Sequence, residues 1–387
     1  MRETIRLLHT ADWHWGLKSW KDSPRSKDRN PEIRSALERL YTYAQKRKPD
    51  YILIAGDLFN HYTAPSESDA KEILSFLIDF SRIAPVLVVL GNHDWRGLAT
   101  YHLFSSRVGI YILSSLGEPL EAFDGIRIFY FPYFPLRRLL RNCAMGELQD
   151  KARKLLVEYK AGLKRYAKND KWNVLVGHLA VEGVSYQNEF TYASELFVPK
   201  DFFSSDLFDY VALGHIHSRR KIAGASACSY YSGSLVRVGF GEENNEVGAL
   251  WVELKEGKNP HVEPIDVGAK ILKTFTVSAL EIDEVEALLK ELGDEEAYVR
   301  VVVNLAGDSP SFPVSYYRNR VFSLDERVVK VVVRREERLK REKAISQRSG
   351  DIVYMFKEYL KMRGIGSGAL LERFKYYYKK VEEDEAS

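Results

Sequence analysis

Tyr51-Ile52-Leu53-Ile54-Ala55 is an apolar run that ends on Gly56-Asp57-Leu58-Phe59, and this stretch sets the reading of the whole chain. A short β-rich run of this kind predicts a strand buried on both faces. The glycine marks a turn, and the aspartate stands just past the strand's carboxyl end. The arrangement recurs on either side. Ile5 to Leu8 leads to Asp12-Trp13-His14, and Val86 to Leu90 leads to Gly91-Asn92-His93-Asp94. Asn173 to Val176 leads to Gly177-His178, and Tyr210 to Leu213 leads to Gly214-His215-Ile216-His217. Between the runs, Glu32 to Arg47, Ser66 to Arg82 and Glu147 to Lys168 have helical composition and spacing. Strands alternating with helices through about residue 255 predict a layered α/β domain, whose ligands gather at the carboxyl edge of the strands.

The chain has 387 residues, 45% hydrophobic and 29% charged, which is enough apolar material for a substantial core and excludes a disordered or collagen-like protein. Lys and Arg number 57 against 54 Asp and Glu, so the net charge of +3 argues against wholesale coating of nucleic acid while leaving room for a local basic groove. Two cysteines, Cys143 and Cys228, make no disulfide framework and no Cys-x-x-Cys site. The N-terminal residues hold too short an apolar run for a secretion signal, and the stretch around Val86 to Leu90 is far below the ~18 residues that span a bilayer. A cytoplasmic protein with no membrane contact is expected.

Asp12, His14, Asp57, Asn92, His93, His178, His215 and His217 all follow strands in one phase relation. Alone, each reads as a capping or hydrogen-bonding group. Together they converge on one sheet edge, and imidazoles, carboxylates and an amide without thiolate suit manganese or iron. The donor count fits two ions, with Asp57 as the natural bridge because a carboxylate has two oxygens. Two ions sharing a water imply phosphoester hydrolysis.

These motifs, in order, match the signature of the calcineurin-like metallophosphoesterases, and within that superfamily the chain resembles the SbcD nucleases, counterparts of the meiotic recombination eleven repair nuclease. The closer points are His9-Thr10-Ala11-Asp12-Trp13-His14, Gly91-Asn92-His93-Asp94-Trp95, Leu213-Gly214-His215-Ile216-His217-Ser218 and Tyr231-Ser232-Gly233-Ser234-Leu235, followed by Phe240-Gly241-Glu242-Glu243. The resemblance implies a four-layer αββα sandwich over 1–267. It implies one metal on Asp12, His14, Asp57 and His217 and another on Asp57, Asn92, His178 and His215, with two manganese ions and iron or magnesium as alternatives. His93 would face the scissile phosphate as the catalytic residue. Relatives commonly carry a histidine three residues after the bridging aspartate; here Asn60 holds that place and His61 follows it, so both are candidate substrate-positioning residues.

After residue 268 the chain changes character. Glu281 to Leu292 is helix-like, and Tyr298 to Asn304 and Val328 to Val333 are strand-like, which predicts a small α+β unit over 268–343. By position it resembles the family's capping domain, which contacts DNA. Over 344–387, Ile352, Met355, Phe356, Tyr359 and Leu360 fall on one helical face, as do Leu370, Phe374, Tyr377 and Tyr378, with Gly364, Gly366 and Gly368 between them. This helix-loop-helix would dock on an SbcC-type ABC ATPase or pack back on the parent domain. Lys18, Arg25, Arg29, Arg219 and Arg220, beside Trp20, are candidate DNA-gripping residues. The helices over 66–82 and 97–107 correspond to the family's homodimer contact, though core packing explains their apolar residues as well. The expected function is a two-metal nuclease acting on duplex ends (3'-5'), hairpins and single strands of DNA in double-strand-break repair, cytoplasmic and nucleoid-associated. The competing readings are a phosphatase or cyclic-nucleotide phosphodiesterase of the same superfamily, and a non-catalytic scaffold.

Overall fold

A computed structural model describes residues 2–21, 23–60, 63–94, 98, 106–136, 148–184, 195–293, 296–305, 312–335, 356–357, 360, 368 and 370–375. The first sheet contains β1 (Ile5–Thr10), β4 (Tyr51–Ile54), β5 (Val86–Val89), β6 (Ile110–Leu113), β14 (Ala249–Leu254) and β15 (His261–Ile265), in the order β15-β14-β1-β4-β5-β6. Strands β1, β4, β5 and β6 run parallel, while β14 and β15 turn the far side antiparallel. The second sheet contains β7 (Ile126–Phe131), β8 (Trp172–His178), β11 (Tyr210–Gly214), β12 (Arg220–Lys221) and β13 (Cys228–Tyr231), in the order β12-β13-β11-β8-β7. Two ribbons complete the body, β2 (Lys18–Ser19) with β3 (Lys27–Asp28) and β9 (Ala180–Val181) with β10 (Phe197–Val198).

The apolar pattern dictates four layers. Leu7, Leu53, Leu87 and Val89 meet Ile128, Val174, Val176 and Ala212 in a core between the two sheets. On the outer face of the first sheet, α1 (Asn30–Arg47) and α2 (Glu67–Ser81) bury Ile33, Leu37, Leu40, Ile73, Leu77 and Phe80. Helix α2 begins where Ser66 accepts the Asp69 N–H at 3.1 Å, satisfying a donor the helix itself cannot. On the outer face of the second sheet, α3 (Leu148–Lys164) packs Ala152, Leu156 and Leu163 over Leu175, Val211 and Leu213. No helix among the described residues is long and apolar enough to cross a membrane.

His9 pins the two sheets together. Its Nε2–H donates to the Leu213 carbonyl at 3.1 Å, so its Nδ1 accepts the Tyr210 hydroxyl at 3.0 Å. The imidazole is fully buried, and burial lowers its pKa to about 3 despite that carbonyl.

The remaining unit has β16 (Ile271–Ser278), β17 (Ala297–Leu305) and β18 (Val328–Arg335), with α4 (Glu284–Glu291) and α5 (Val314–Phe322) as crossovers. All three strands are parallel, so the connectivity is β-α-β-α-β. The strand that the sequence pattern hides is β16, because Lys273, Thr274 and Thr276 interrupt its apolar positions. Val285, Leu289, Tyr317 and Val321 of the helices close a core of their own over Val299, Val301 and Val303. A second, smaller cluster joins the unit to the body, where Phe240, Leu272 and Val329 pack with Trp20 and Tyr298.

Three arginines expected to grip DNA are drawn into the protein instead. Arg29 is fully buried, donating to Glu32 at 2.8 Å, Ser19 Oγ at 3.3 Å and the Arg237 carbonyl at 3.1 Å. Arg25 seats the small unit, its guanidinium donating to the carbonyls of Phe322, Asp325 and Val328. Arg219 donates to the Val247 carbonyl at 3.0 Å and pairs with Glu246 at 3.4 Å. Each of these donors has a partner inside the fold, which a charge in a sequence does not reveal. Lys18 is exposed and Arg220 half-exposed.

Two of the buried groups set measurable stabilities. Arg29→Met leaves the buried Glu32 carboxylate without its cation and should cost roughly 3–5 kcal/mol in urea unfolding. For His9, the folded pKa lies below the unfolded one, so the unfolded chain takes up a proton that the folded protein refuses. Stability present above pH 6.5 is then lost as pH falls toward about 3. Between pH 7 and acid pH, the urea midpoint should therefore fall more steeply for the native chain than for His9→Gln.

Candidate metal centre

The loops that follow β1 and β4 continue side by side beyond the strands. Asp12 N donates to Gly56 O at 2.9 Å, His14 N to Asp57 O at 3.0 Å and Trp15 N to Leu58 O at 3.0 Å. This backbone pairing fixes Asp12, His14 and Asp57 relative to one another. Asp12, His14, Asp57 and His215 all have positive φ, between 51° and 96°, a conformation that side-chain-bearing residues rarely adopt and that clusters at functional sites.

Asp94 ties in the next loop. Its buried carboxylate accepts the N–H groups of Leu58 at 2.8 Å, Asp57 at 2.9 Å, Phe59 at 3.2 Å and Gly91 at 2.8 Å. Asp57 in turn accepts the His93 N–H at 2.8 Å. The second sheet joins through His215 N, which donates to both Asp12 oxygens at 3.0 and 3.1 Å. The glycines before these residues leave necessary space. A Cβ on Gly56 would stand 2.3 Å from His178 Nδ1, and one on Gly91 would stand 2.1 Å from Asp57 Oδ1.

Two groups of donors result. His14 Nε2 and His217 Nε2 face each other at 3.0 Å, with Asp57 Oδ2 3.9 Å from His14 Nε2. Asn92 Oδ1, His178 Nε2 and His215 Nδ1 form a triangle with sides of 2.8, 3.0 and 3.2 Å, and Asp57 Oδ2 lies 3.5 Å from His178 Nε2. Asp57 thus stands between the groups. A cation with bonds of about 2.1 Å has neighbouring ligands roughly 3.0–3.4 Å apart, so these spacings fit a divalent ion.

The outward nitrogens support the same fit. His178 Nδ1–H donates to the Ala55 carbonyl at 2.7 Å, which leaves the Nε2 lone pair pointing at Asn92 and Asp57. His217 Nδ1 is held by Glu242 Oε1 at 2.7 Å, and His215 Nε2 is held by Glu195. Each of the three rings is therefore anchored on its far side with its inner nitrogen aimed into the site, as metal-ligating histidines are.

The electrostatics of the site point the same way. Burial, reinforced by neighbouring imidazoles, holds His14 and His178 well below the ordinary histidine range, so both are neutral donors. Burial raises Asp12 to about 6 against the pull of His217 and His215. Burial, then Asp94 and Asp12, pushes Asp57 well above the carboxylate range. Burial would lower His217, but Glu242 and Asp12 overcome it and raise the imidazole to about 9. Buried carboxylates that resist ionisation beside the neutral imidazoles of His14 and His178 form a site that a cation would relieve, and a metal bound there would displace the extra proton that His217 holds.

His93 stands at the edge of this cluster, half-exposed, its ring edge-on to His14 at a centroid distance of 5.2 Å. Asn60 is half-buried at the end of the Asp57 loop, its N–H on the Trp15 carbonyl at 2.9 Å, and His61 lies outside the described residues. In the terminal segment, Phe356 and Phe374 stack at 4.0 Å, Leu360 is buried and Leu370 is 49% exposed. Ile352, Met355, Tyr359 and Tyr377 lie outside the described residues.

Four site residues escape a reading of the sequence. Asp94 stands inside a quoted motif, but its role as acceptor for two loops is a three-dimensional property. Glu195 follows none of the predicted strands, and Glu242 stands in the quoted Phe240-Gly241-Glu242-Glu243 stretch, where its hold on His217 is again a three-dimensional property. Tyr133, with its ring 5.9 Å from His215 and 6.3 Å from His178, follows β7 at the same carboxyl edge. Recognising Ile126–Phe131 as a strand would have found it.

Comparison with known proteins gives the family. Residues 5–219 match the calcineurin-like phosphoesterase family. The SbcD component of the SbcCD nuclease from Staphylococcus epidermidis is 29% identical over 262 residues, which cover 66% of this chain and 67% of that protein. Among solved structures, a dimetal phosphatase from Danio rerio aligns at TM-score 0.41 and 10% identity, covering 65% of this chain and 93% of its own. The calcineurin-like phosphoesterase YfkN from Bacillus subtilis aligns at 0.37 and 12%, covering 67% and 90%. The family match runs from the first strand to the residues just past His217, across all the candidate donors, and the chain belongs to the calcineurin-like phosphoesterases.

Proposed function

We propose that the chain is a two-metal DNA nuclease, cutting duplex ends from 3' to 5' and opening hairpins and single strands, and that it works in double-strand-break repair with an SbcC-type ABC ATPase as a homodimer. The observation that carries the reading is the donor geometry, two groups of aimed nitrogens and oxygens meeting at Asp57. The likeness to a nuclease component supports DNA over a small phosphomonoester as substrate. The three-stranded unit packed beside the site by Arg25, Trp20 and Phe240 adds a second surface that a long polymer would use and a phosphomonoester would not.

In this reading Asp12, His14, Asp57 and His217 would hold one manganese ion and Asp57, Asn92, His178 and His215 the other. Ions bound there would supply a water of lowered pKa and neutralise charge on the phosphoryl oxygens. The chain's own residues do the rest. Asp57 accepts the His93 backbone N–H, which holds the His93 main chain at the mouth of the site, and the imidazole stands edge-on to His14 there. From there His93 donates a proton to the departing oxygen as the phosphodiester breaks. Asn60, with its backbone held beside Trp15, borders the place where the strand would lie, and His61 is proposed to share its role. Lys18, which is exposed, and Arg220, half-exposed, are proposed as phosphate contacts, and Leu370 with the terminal aromatic pair as the ATPase contact.

The test is cleavage of labelled linear duplex, hairpin and single-stranded DNA with manganese, beside a phosphomonoester control. The expected result is manganese-dependent DNA cleavage that His93→Ala lowers by about 10²- to 10⁴-fold while metal stoichiometry stays unchanged. Turnover confined to the phosphomonoester would overturn the nuclease reading in favour of a phosphatase. Bound metal with no turnover, alone or with the ATPase added, would leave a scaffold.

A further inference from the structure

The short turn that carries Glu242 faces two parts of the molecule at once. One Glu242 oxygen holds His217 Nδ1–H at 2.7 Å and the other accepts the Val238 N–H at 2.7 Å. With both oxygens engaged, the carboxylate is held in one orientation. The residues beside it reach the other way. Phe240 packs on Leu272 and Val329 of the three-stranded unit, 5.6 Å from the Trp20 ring, with the Arg300 guanidinium 4.9 Å from its own ring. Glu243 accepts the Thr274 N–H at 2.9 Å and the Thr274 hydroxyl at 2.6 Å. Trp20 closes the joint on Tyr298 at 4.8 Å. The turn is thus fastened to the unit on both sides of the residue that orients a candidate ligand.

A carboxylate on the far nitrogen of a ligating imidazole sets both the tautomer and the rotation of the ring. Moving the turn would rotate His217 away from His14 Nε2, 3.0 Å across the site. We propose that Glu242 is the positioning residue for His217, and that the turn over 240–243 makes one metal position depend on how the three-stranded unit is seated. The inference rests on the two-metal reading above.

Calorimetric titration of the full chain with manganese, after chelation, tests it alongside thermal melting. Glu242→Ala should weaken one of two manganese sites by about 10- to 100-fold, and Glu242→Gln, whose amide oxygen still accepts, should restore most of the loss. Phe240→Ala, which removes the turn's apolar contact with the unit and touches neither Glu242 nor His217, should weaken the same site. Unchanged affinity in Glu242→Ala would overturn the positioning role, as would loss of both sites with a lowered melting point that Glu242→Gln does not restore. A weakened site in Glu242→Ala beside native affinity in Phe240→Ala would overturn the dependence on the unit. A native chain that binds no manganese would instead overturn the two-metal reading itself.

Discussion

Three carboxylates, Asp12, Asp57 and Asp94, are buried within one small region at the carboxyl edge of two sheets, and much of the local architecture answers that constraint. Like charges in a poorly hydrated place repel and lose solvation, so each must be compensated by groups the fold can aim. Asp94 takes four backbone N–H groups, Asp12 takes the N–H of His215, and Asp57 takes the N–H of His93. Those bonds are also what tie the loops of β4 and β5 together and cross from one sheet to the other. The unusual backbone angles at Asp12, His14, Asp57 and His215 are held by the same network.

Much of this was legible in the sequence because the relevant elements are buried on both faces. Strands such as Tyr51–Ile54 and Tyr210–Gly214 have no polar position, so their runs are continuous and the polar residue that ends each one stands out. Strands that break this rule stayed hidden. β16 alternates with lysine and threonine, and β13 is only Cys228–Tyr231. The anchoring contacts were equally invisible, since Glu242, though quoted in a motif, reaches His217 across twenty-five positions and Glu195 reaches His215 across twenty.

The arginines show the opposite failure. Positive charge near a phosphoester site invites a role in binding polyanions, yet charge alone does not say where a long side chain points. Arg29 sits three residues before Glu32 on the first turn of α1, a spacing usual for exposed helical pairs, and here the pair is sealed beneath Trp20 and Tyr298. Arg25 and Arg29 both serve the joint between body and small unit, so positions that resemble a substrate surface are in fact part of its packing.

Because the donors are divided between two sheets, the thickness of the layer between them is a chemical variable. Asp12, His14, Asp57 and Asn92 ride on the first sheet, while His178, His215 and His217 ride on the second. The gap is set by Leu53, Val89, Val174 and Ala212, none of which is a donor, and by the single imidazole of His9. The sandwich therefore behaves as a caliper. A methylene added to or removed from that interior layer would open or close the jaws, so changes deep in the apolar core would read out as altered spacing of the candidate donors at the edge.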